Sequence, residues 1–417
     1  VTRALITGNA SAAWGARLAA VDYVPAFPIT PQTEIIETLA GWVDSGDVDM
    51  KTVTLESEHS MITAAGAAAV TGVRVFTATS SQGLLYAMEM LYAVAGWRAP
   101  FVLVNVSRAL AAPITLEPDH NDVLATRDTG FMQFHAATCQ EALDFVLLAY
   151  RAAEDRRVRL PAIVNFDGFY LSFTREPVDI PDAESAGRFL PPFDPGEVRL
   201  RASAPISHAI AVMGGGPYSY FRYETHLALM NAAKAFDDAA VEFERIFKRK
   251  YERVESYRAD DADYLFVMMG AFATKAKDAV DALRKQGHKA GLLRPRLLRP
   301  FPGDLLQEAI AGKRAVAVID QNISMGSGGV LHTELASALY RRPGAPPLLS
   351  FIGGLGGRDI GMGEFLEMAR QMVEAASTGR VPLPRLLYTA SELRELRKLQ
   401  TIANAERGRV AGGDKRG

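Results

Sequence analysis

Phe27-Pro28-Ile29-Thr30-Pro31 holds a hydroxyl between two prolines, and Glu56-Ser57-Glu58-His59-Ser60 places carboxylates where an apolar strand gives way to an alanine-rich helix. Such groups could hold a polar, acid-bearing substrate and a cofactor that needs a carboxylate partner. The proline after Thr30 pushes that residue toward an extended backbone. Its hydroxyl can then point out of a turn at a strand end, where ligands sit in open α/β sheets. The alternative is a helix cap, since Thr at a cap with Pro just inside is common. Glu58 also has two readings. A carboxylate at a helix N-terminus is favoured by the macrodipole without any catalytic role, and Glu56 competes with it. His59 reads as a packing or supporting residue.

Two further runs have the same character. Thr77-Ala78-Thr79-Ser80-Ser81-Gln82-Gly83 puts consecutive hydroxyls and a glycine at a strand-to-helix junction, a source of donors for an anion or polar ligand. It lacks the lysine of a Walker loop, and capping explains one hydroxyl but not the row. Arg108 ends the apolar strand around Val104-Asn105-Val106, where an unpaired guanidinium is expensive to bury. Its planar fork suits a carboxylate, although Glu117, Asp119 and Asp122 could supply a structural partner. The runs Gly326-Ser327-Gly328-Gly329 and Gly353-Gly354-Leu355-Gly356-Gly357 lack the spacing of a dinucleotide loop. They read as tight turns or as contact surfaces for a neighbouring chain.

The scaffold for these groups alternates strand and helix patterns. Ala4 to Gly8, Lys51 to Leu55, Arg74 to Ala78, Pro100 to Val106 and Leu160 to Asp167 read as strands. Ser11 to Asp22, Thr33 to Asp44, Ser60 to Gly72 and Gly83 to Gly96 read as helices. Continuous apolar runs between helices predict a parallel sheet covered on both faces. The expected organisation is an α/β domain over 1–173, then a linker or wrapping arm with long amphipathic helices over 174–259. A second α/β domain over 260–390 and a charged helical tail over 391–417 follow. Prolines 177, 181, 191, 192 and 195 mark the arm as irregular.

Bulk properties exclude several classes. The chain has 417 residues, 48% hydrophobic and 23% charged, with a net charge of −2. That balance offers no electrostatic basis for nucleic acid or an anionic membrane. No run approaches the roughly 20 apolar residues of a membrane span. The first residues read as strand and helix rather than as a targeting segment, so a cytoplasmic location is expected. The one cysteine, Cys139, can neither close a disulfide within the chain nor hold a zinc or an iron–sulfur cluster alone. Redox chemistry would need centres on another chain, and no metal site is expected on this one.

Taken together, the motifs resemble the alpha subunit of the 2-oxoacid:ferredoxin (pyruvate:ferredoxin) oxidoreductase family. Tyr23 to Pro31, Glu56 to Ser60, Phe76 to Leu84, Asn105 to Ala111, Asp119 to Asp122 and Asp167 to Phe169 carry the resemblance, and it extends over nearly the whole chain. It implies a thiamine-diphosphate pyrimidine-binding (PYR-type) domain followed by a transketolase C-terminal-like α/β domain. Glu58 would pair with N1′ of the aminopyrimidine and promote the imino tautomer that activates the cofactor. Pro28, Ser81 and Gln82 would line the cofactor, while Thr30 and Arg108 would hold the 2-oxoacid carboxylate. The implied reaction is oxidative decarboxylation with acyl transfer to coenzyme A.

The family's Gly-Asp-Gly segment for the diphosphate and Mg²⁺ is not found in this sequence. The resemblance therefore implies a beta subunit supplying that half, together with gamma and delta-type subunits, 4Fe–4S clusters on those partners, and ferredoxin or an NAD-linked flavin subunit as acceptor. Pyruvate-using members tend to carry tryptophans after the arginine. Here the run is Pro113-Ile114-Thr115-Leu116-Glu117-Pro118, which suggests a larger 2-oxoacid, such as the aromatic phenylglyoxylate, with pyruvate otherwise. A non-oxidative thiamine-dependent decarboxylase or transketolase-like subunit, and a scaffold homologue without catalysis, are the competing readings.

Overall fold

The computed structural model describes residues 1–196, 199–340 and 342–413. Its frame is two largely parallel sheets. In the first, the strands Val102–Ser107 and Ala162–Asp167 lie at the centre, fully buried, flanked by Phe76–Thr79 and Met132–His135. A single bridge from Tyr23 to Val75 extends this sheet to the parallel pair Tyr23–Ala26 and Lys51–Thr54. In the second, Ala315–Asp320 and Tyr264–Met268 are central. Leu348–Ile352, Arg385–Leu386 and Ala290–Pro295 run parallel beside them, and Val254–Tyr257 closes one edge antiparallel. Buried parallel strands read as unbroken apolar runs because helices cover both faces.

Small residues bring the layers close. Thr7 caps the helix Gly8–Leu18, its hydroxyl accepting from the Ala10 N–H. That helix packs on Cys139–Ala153 so tightly that a Cβ on Gly15 would lie 2.7 Å from Val146 Cβ. The 33-residue helix Gly215–Phe247 buries Thr225, Ala228, Ala232, Phe236, Ala239 and Phe243, spaced by three and four, against the first sheet's helical layer.

Several expectations are corrected. Ala4 to Gly8 is not a buried strand of the main sheet. Thr2–Thr7 pairs antiparallel with Arg175–Ile180 in a separate, largely exposed ribbon. The arm beginning at 174 is thus partly regular, and the helix Ala183–Phe189 follows. Pro177 is tolerated because the ribbon has an open edge. Gly83 to Gly96 is two helices, Ser81–Tyr86 and Met88–Gly96, meeting at Ala87. The charged tail is helical over Ala390–Gly413, and 414–417 lie outside the described residues.

The two sheets share a core. Phe101, Leu103 and Ile163 of the first belong to one apolar cluster with Leu265, Val267 and Val316 of the second. Leu297–Arg299, just beyond a strand of the second sheet, adds antiparallel to Met132–His135 of the first. Beside it, Arg294 is 2% exposed and donates to Glu141 at 2.5 and 2.9 Å and to Glu255 at 2.6 Å. Burial raises the Glu141 pKa, but Arg294 and Arg296 outweigh it and hold the carboxylate below its ordinary range. Among the described residues, no helix is long and apolar enough to cross a membrane.

Candidate active site

Five parallel strands of the first sheet end on one side, each followed by one of the polar motifs. After Lys51–Thr54 comes Glu58, the first residue of the helix Glu58–Ala69, whose cap is Ser57. Glu58 is 5% exposed, and burial raises its pKa, opposed by its own backbone N–H. Among the described residues no side chain donates to its carboxylate. Glu56, the competing carboxylate, is exposed and accepts from Ser60, which lowers its pKa. Glu58 is buried as the first residue of the helix, whereas Glu56, two residues earlier and ahead of the cap, is exposed.

Gly83 lies under the Glu58 carboxylate. A Cβ at Gly83 would overlap Glu58 Oε1 and come within 2.7 Å of Thr79 Oγ1. The Thr79 and Ser80 hydroxyls are buried without a hydrogen-bond partner among the described residues. A buried carboxylate with no side-chain donor, beside buried hydroxyls without partners among the described residues, is unfavourable unless a ligand satisfies them.

Arg108 follows the strand Val102–Ser107. It is 8% exposed, and burial lowers its pKa while Asp122 raises it. Nη1 donates to the Thr30 carbonyl at 2.8 Å and Nη2 to Gln82 Oε1 at 2.7 Å. Nε has no acceptor, and no carboxylate among the described residues reaches the guanidinium. Asp122 binds the backbone N–H of Arg108 instead, and Asp119 accepts from the backbone N–H of Asn121. The structural partner considered from the sequence is therefore not an ion pair.

Thr30 is exposed and does not cap the following helix. That helix begins at Thr33 with Gln32 at its cap position. Pro28 is exposed beside it, Ser81 is buried, and Gln82 is half-buried. The Ser81 hydroxyl lies 2.5 Å from Gln82 Oε1 and 2.9 Å from the Ala109 carbonyl. Thr30, Gln82 and Arg108 form one hydrogen-bonded group, and Glu58 joins it through Gly83, the neighbour of Gln82.

The sequence reading assigned no role to three other residues here. His120 Nε2 donates to Asp167 Oδ1 at 2.8 Å, both 1% exposed, and Asp167 Oδ2 accepts the Ala271 N–H from the second half of the chain. Burial lowers the His120 pKa, but Asp167 outweighs it and raises it overall. Asn105 donates to Asp122 at 3.1 Å and to Asn165 at 2.8 Å. Polar residues interrupting apolar strands, as in Val104-Asn105-Val106, were the available signal.

The second glycine run meets the first sheet's loops. Gly357, at φ 75°, donates to the Pro118 carbonyl at 2.7 Å, accepts from the Tyr170 hydroxyl at 2.6 Å, and would meet Glu117 if it carried a Cβ. The run Pro113–Pro118 therefore leans on the second half of the chain. The other run turns within its own half, where Asp320 accepts the N–H groups of Leu331 and His332 at the start of a helix.

Comparison with known proteins finds matches over most of the chain. Residues 14–243 match the family described as "Pyruvate flavodoxin/ferredoxin oxidoreductase, thiamine diP-bdg", and residues 262–365 match "Pyruvate:ferredoxin oxidoreductase core domain II". Pyruvate synthase subunit PorA of Pyrococcus abyssi is 42% identical over 382 residues, 92% of this chain and 96% of that protein. Ketoisovalerate oxidoreductase subunit VorA of the same organism is 41% identical over 381 residues, 90% of this chain and 95% of the relative. A solved 2-oxoglutarate:ferredoxin oxidoreductase from Magnetococcus marinus shares the fold, with a TM-score of 0.66 at 18% identity. That likeness covers 89% of this chain and 65% of the other. The class is an α/β oxidoreductase subunit with a thiamine-diphosphate-binding domain. The chain belongs to the 2-oxoacid:ferredoxin oxidoreductase family, as an alpha subunit.

Proposed function

We propose that this subunit activates thiamine diphosphate and clamps a 2-oxoacid in a complex that decarboxylates the acid oxidatively and passes the acyl group to coenzyme A. The observation that carries the reading is the Glu58 carboxylate, buried against Gly83 with no donor from another side chain among the described residues. A carboxylate in that setting fits a protonated ring nitrogen, so these residues suit the aminopyrimidine end of the cofactor. When bound, thiamine diphosphate supplies the electron sink for loss of CO₂.

The chain's own groups do the rest. Glu58 accepts a proton-bearing nitrogen at its carboxylate, and burial strengthens that bond. Ser81, Gln82 and Pro28 line the approach. Arg108 has two of its donors engaged by neutral oxygens, which leaves a buried charge for the substrate carboxylate. Thr30, whose backbone carbonyl accepts from Arg108, would bring its hydroxyl to the same carboxylate. A beta subunit completes the diphosphate and Mg²⁺ half. Gamma and delta-type subunits with 4Fe–4S clusters take the electrons to ferredoxin or an NAD-linked flavin subunit.

Glu58→Gln in the assembled complex tests the assignment. Loss of turnover by about 100-fold or more with the complex intact is expected, whereas unchanged turnover removes Glu58 from the mechanism.

A 2-oxoacid larger than pyruvate, branched or aromatic, is favoured by Pro113–Pro118. Ile114 and Leu116 there are 77% and 46% exposed, with no tryptophan among them. Turnover of pyruvate, 2-ketoisovalerate and phenylglyoxylate by the complex ranks the substrates, and a clear preference for pyruvate refutes the larger pocket.

A further inference from the structure

Asp122 is fully buried, and no cation lies within ion-pair distance of it among the described residues. Its Oδ2 accepts the backbone N–H of Ser81 at 3.0 Å, the backbone N–H of Arg108 at 3.2 Å and the Asn105 amide at 3.1 Å. Its Oδ1 accepts the Ser107 hydroxyl and the Val123 N–H, both at 2.7 Å. One carboxylate thus ties together the ends of two neighbouring parallel strands, Phe76–Thr79 and Val102–Ser107. Those ends present Gln82 and Arg108, whose side chains meet at 2.7 Å.

Ser81 adds a second observation. Its φ is 51°, a left-handed conformation that is unfavourable for a non-glycine residue and persists only where surroundings enforce it. The Asp122 bond to its N–H and its hydroxyl's bond to the Ala109 carbonyl are that enforcement. Keeping the strands paired does not need this arrangement, because the ladder from Phe76–Val102 to Thr79–Asn105 already does so. What the ladder leaves free is the aim of the two residues beyond it.

We propose that Asp122 is a positioning residue for the 2-oxoacid. It sets the separation and aim of Gln82 and Arg108, and it acts on the substrate carboxylate only through them. This rests on the reading of Arg108 as the carboxylate-binding group. A charged acceptor is suited to the task, since bonds from N–H groups to a carboxylate are roughly twice as strong as those to a neutral oxygen.

The test uses the assembled complex, with pyruvate or 2-ketoisovalerate as probe, whichever the wild type turns over faster. KM, kcat and thiamine diphosphate affinity are measured for Asp122→Asn, Arg108→Ala and the double variant. Asp122→Asn keeps an acceptor but loses the charge. We expect KM to rise about 10-fold, with kcat within about 2-fold and any change in cofactor affinity smaller than the change in KM. The double variant should be no worse than Arg108→Ala, because residues acting through one group do not add. Should Asp122→Asn fail to assemble, Ser107→Ala takes its place, with an expected rise of about 3-fold and the same lack of additivity. A raised KM in Arg108→Ala beside an unchanged or additive effect in the other variant overturns the positioning role alone. An unchanged KM in Arg108→Ala overturns the reading of Arg108 and the positioning role with it.

Discussion

The guanidinium of Arg108 donates to the backbone carbonyl of Thr30 at 2.8 Å, across 78 positions of sequence, and among the described residues no carboxylate lies within ion-pair distance of it. A neutral oxygen orients the fork without neutralising it. Arg108→Lys keeps the charge but loses the planar fork. The expected result is a KM for the 2-oxoacid raised by about 10-fold or more, with thiamine diphosphate affinity unchanged. Steady-state kinetics and calorimetric cofactor titration separate the two.

Gly83→Ala should abolish cofactor activation without unfolding the chain. The added methyl falls on Glu58 Oε1 and Thr79 Oγ1, so the carboxylate must move. Turnover is expected to fall about 100-fold, as for loss of a positioned acid–base group. Gly41→Ala is the control. Nothing lies within 4 Å of its Cβ on the helix Thr33–Asp44, and removing a helical glycine stabilises by about 0.5–1 kcal/mol. A raised melting temperature for Gly41→Ala beside wild-type turnover in Gly83→Ala would refute the steric argument.

The candidate site positions were legible because each follows an apolar strand at a turn with distinctive chemistry. Thr30 sits between prolines, Glu58 at a helix start and Arg108 at the end of a buried run. Their mutual contacts were not legible. Nothing in the spacing says that Arg108 would meet Thr30 and Gln82 rather than Asp119. The ribbon strand Arg175–Ile180 was hidden by Pro177, which an exposed edge accepts. Leu297–Arg299 has three residues and Met132–His135 four, too few for a period to register. Their pairing is a long-range outcome of the shared core.

Glu141→Gln should weaken the junction of the two sheets. It removes the anion that faces Arg294 and Arg296 in a nearly dry setting. Arg294 keeps Glu255 at 2.6 Å but loses its charged hydrogen bonds to Glu141, a loss of about 1.5–3 kcal/mol. Chemical denaturation should show this loss, while the active-site geometry is unaffected in the fraction that remains folded.

Acid should loosen the same junction. Burial raises the Glu255 pKa, but Arg294, Arg296 and Lys277 outweigh it and hold the carboxyl at about 2, against 4.5 ordinarily. The folded value lies below the unfolded one. The stabilisation is therefore complete above pH 4.5 and is lost as pH falls through about 2. Its size is about 3 kcal/mol at most. Melting temperature against pH should fall less steeply between 4.5 and 2 for Glu255→Gln than for the wild type, and parallel curves would count against the linkage.

The contact of Gly357 with Pro118 and Glu117 has an evolutionary consequence. Glu58 and Gly83 lie wholly within the first half of the chain, whereas the segment after Arg108 is braced by a turn some 240 positions later, as Asp119 and Gly356 show at a separation of 237. The two ends of the site can therefore diverge at different rates. Substitutions in the braced segment and its turn can reshape the surroundings of Arg108 without moving Glu58 and Gly83.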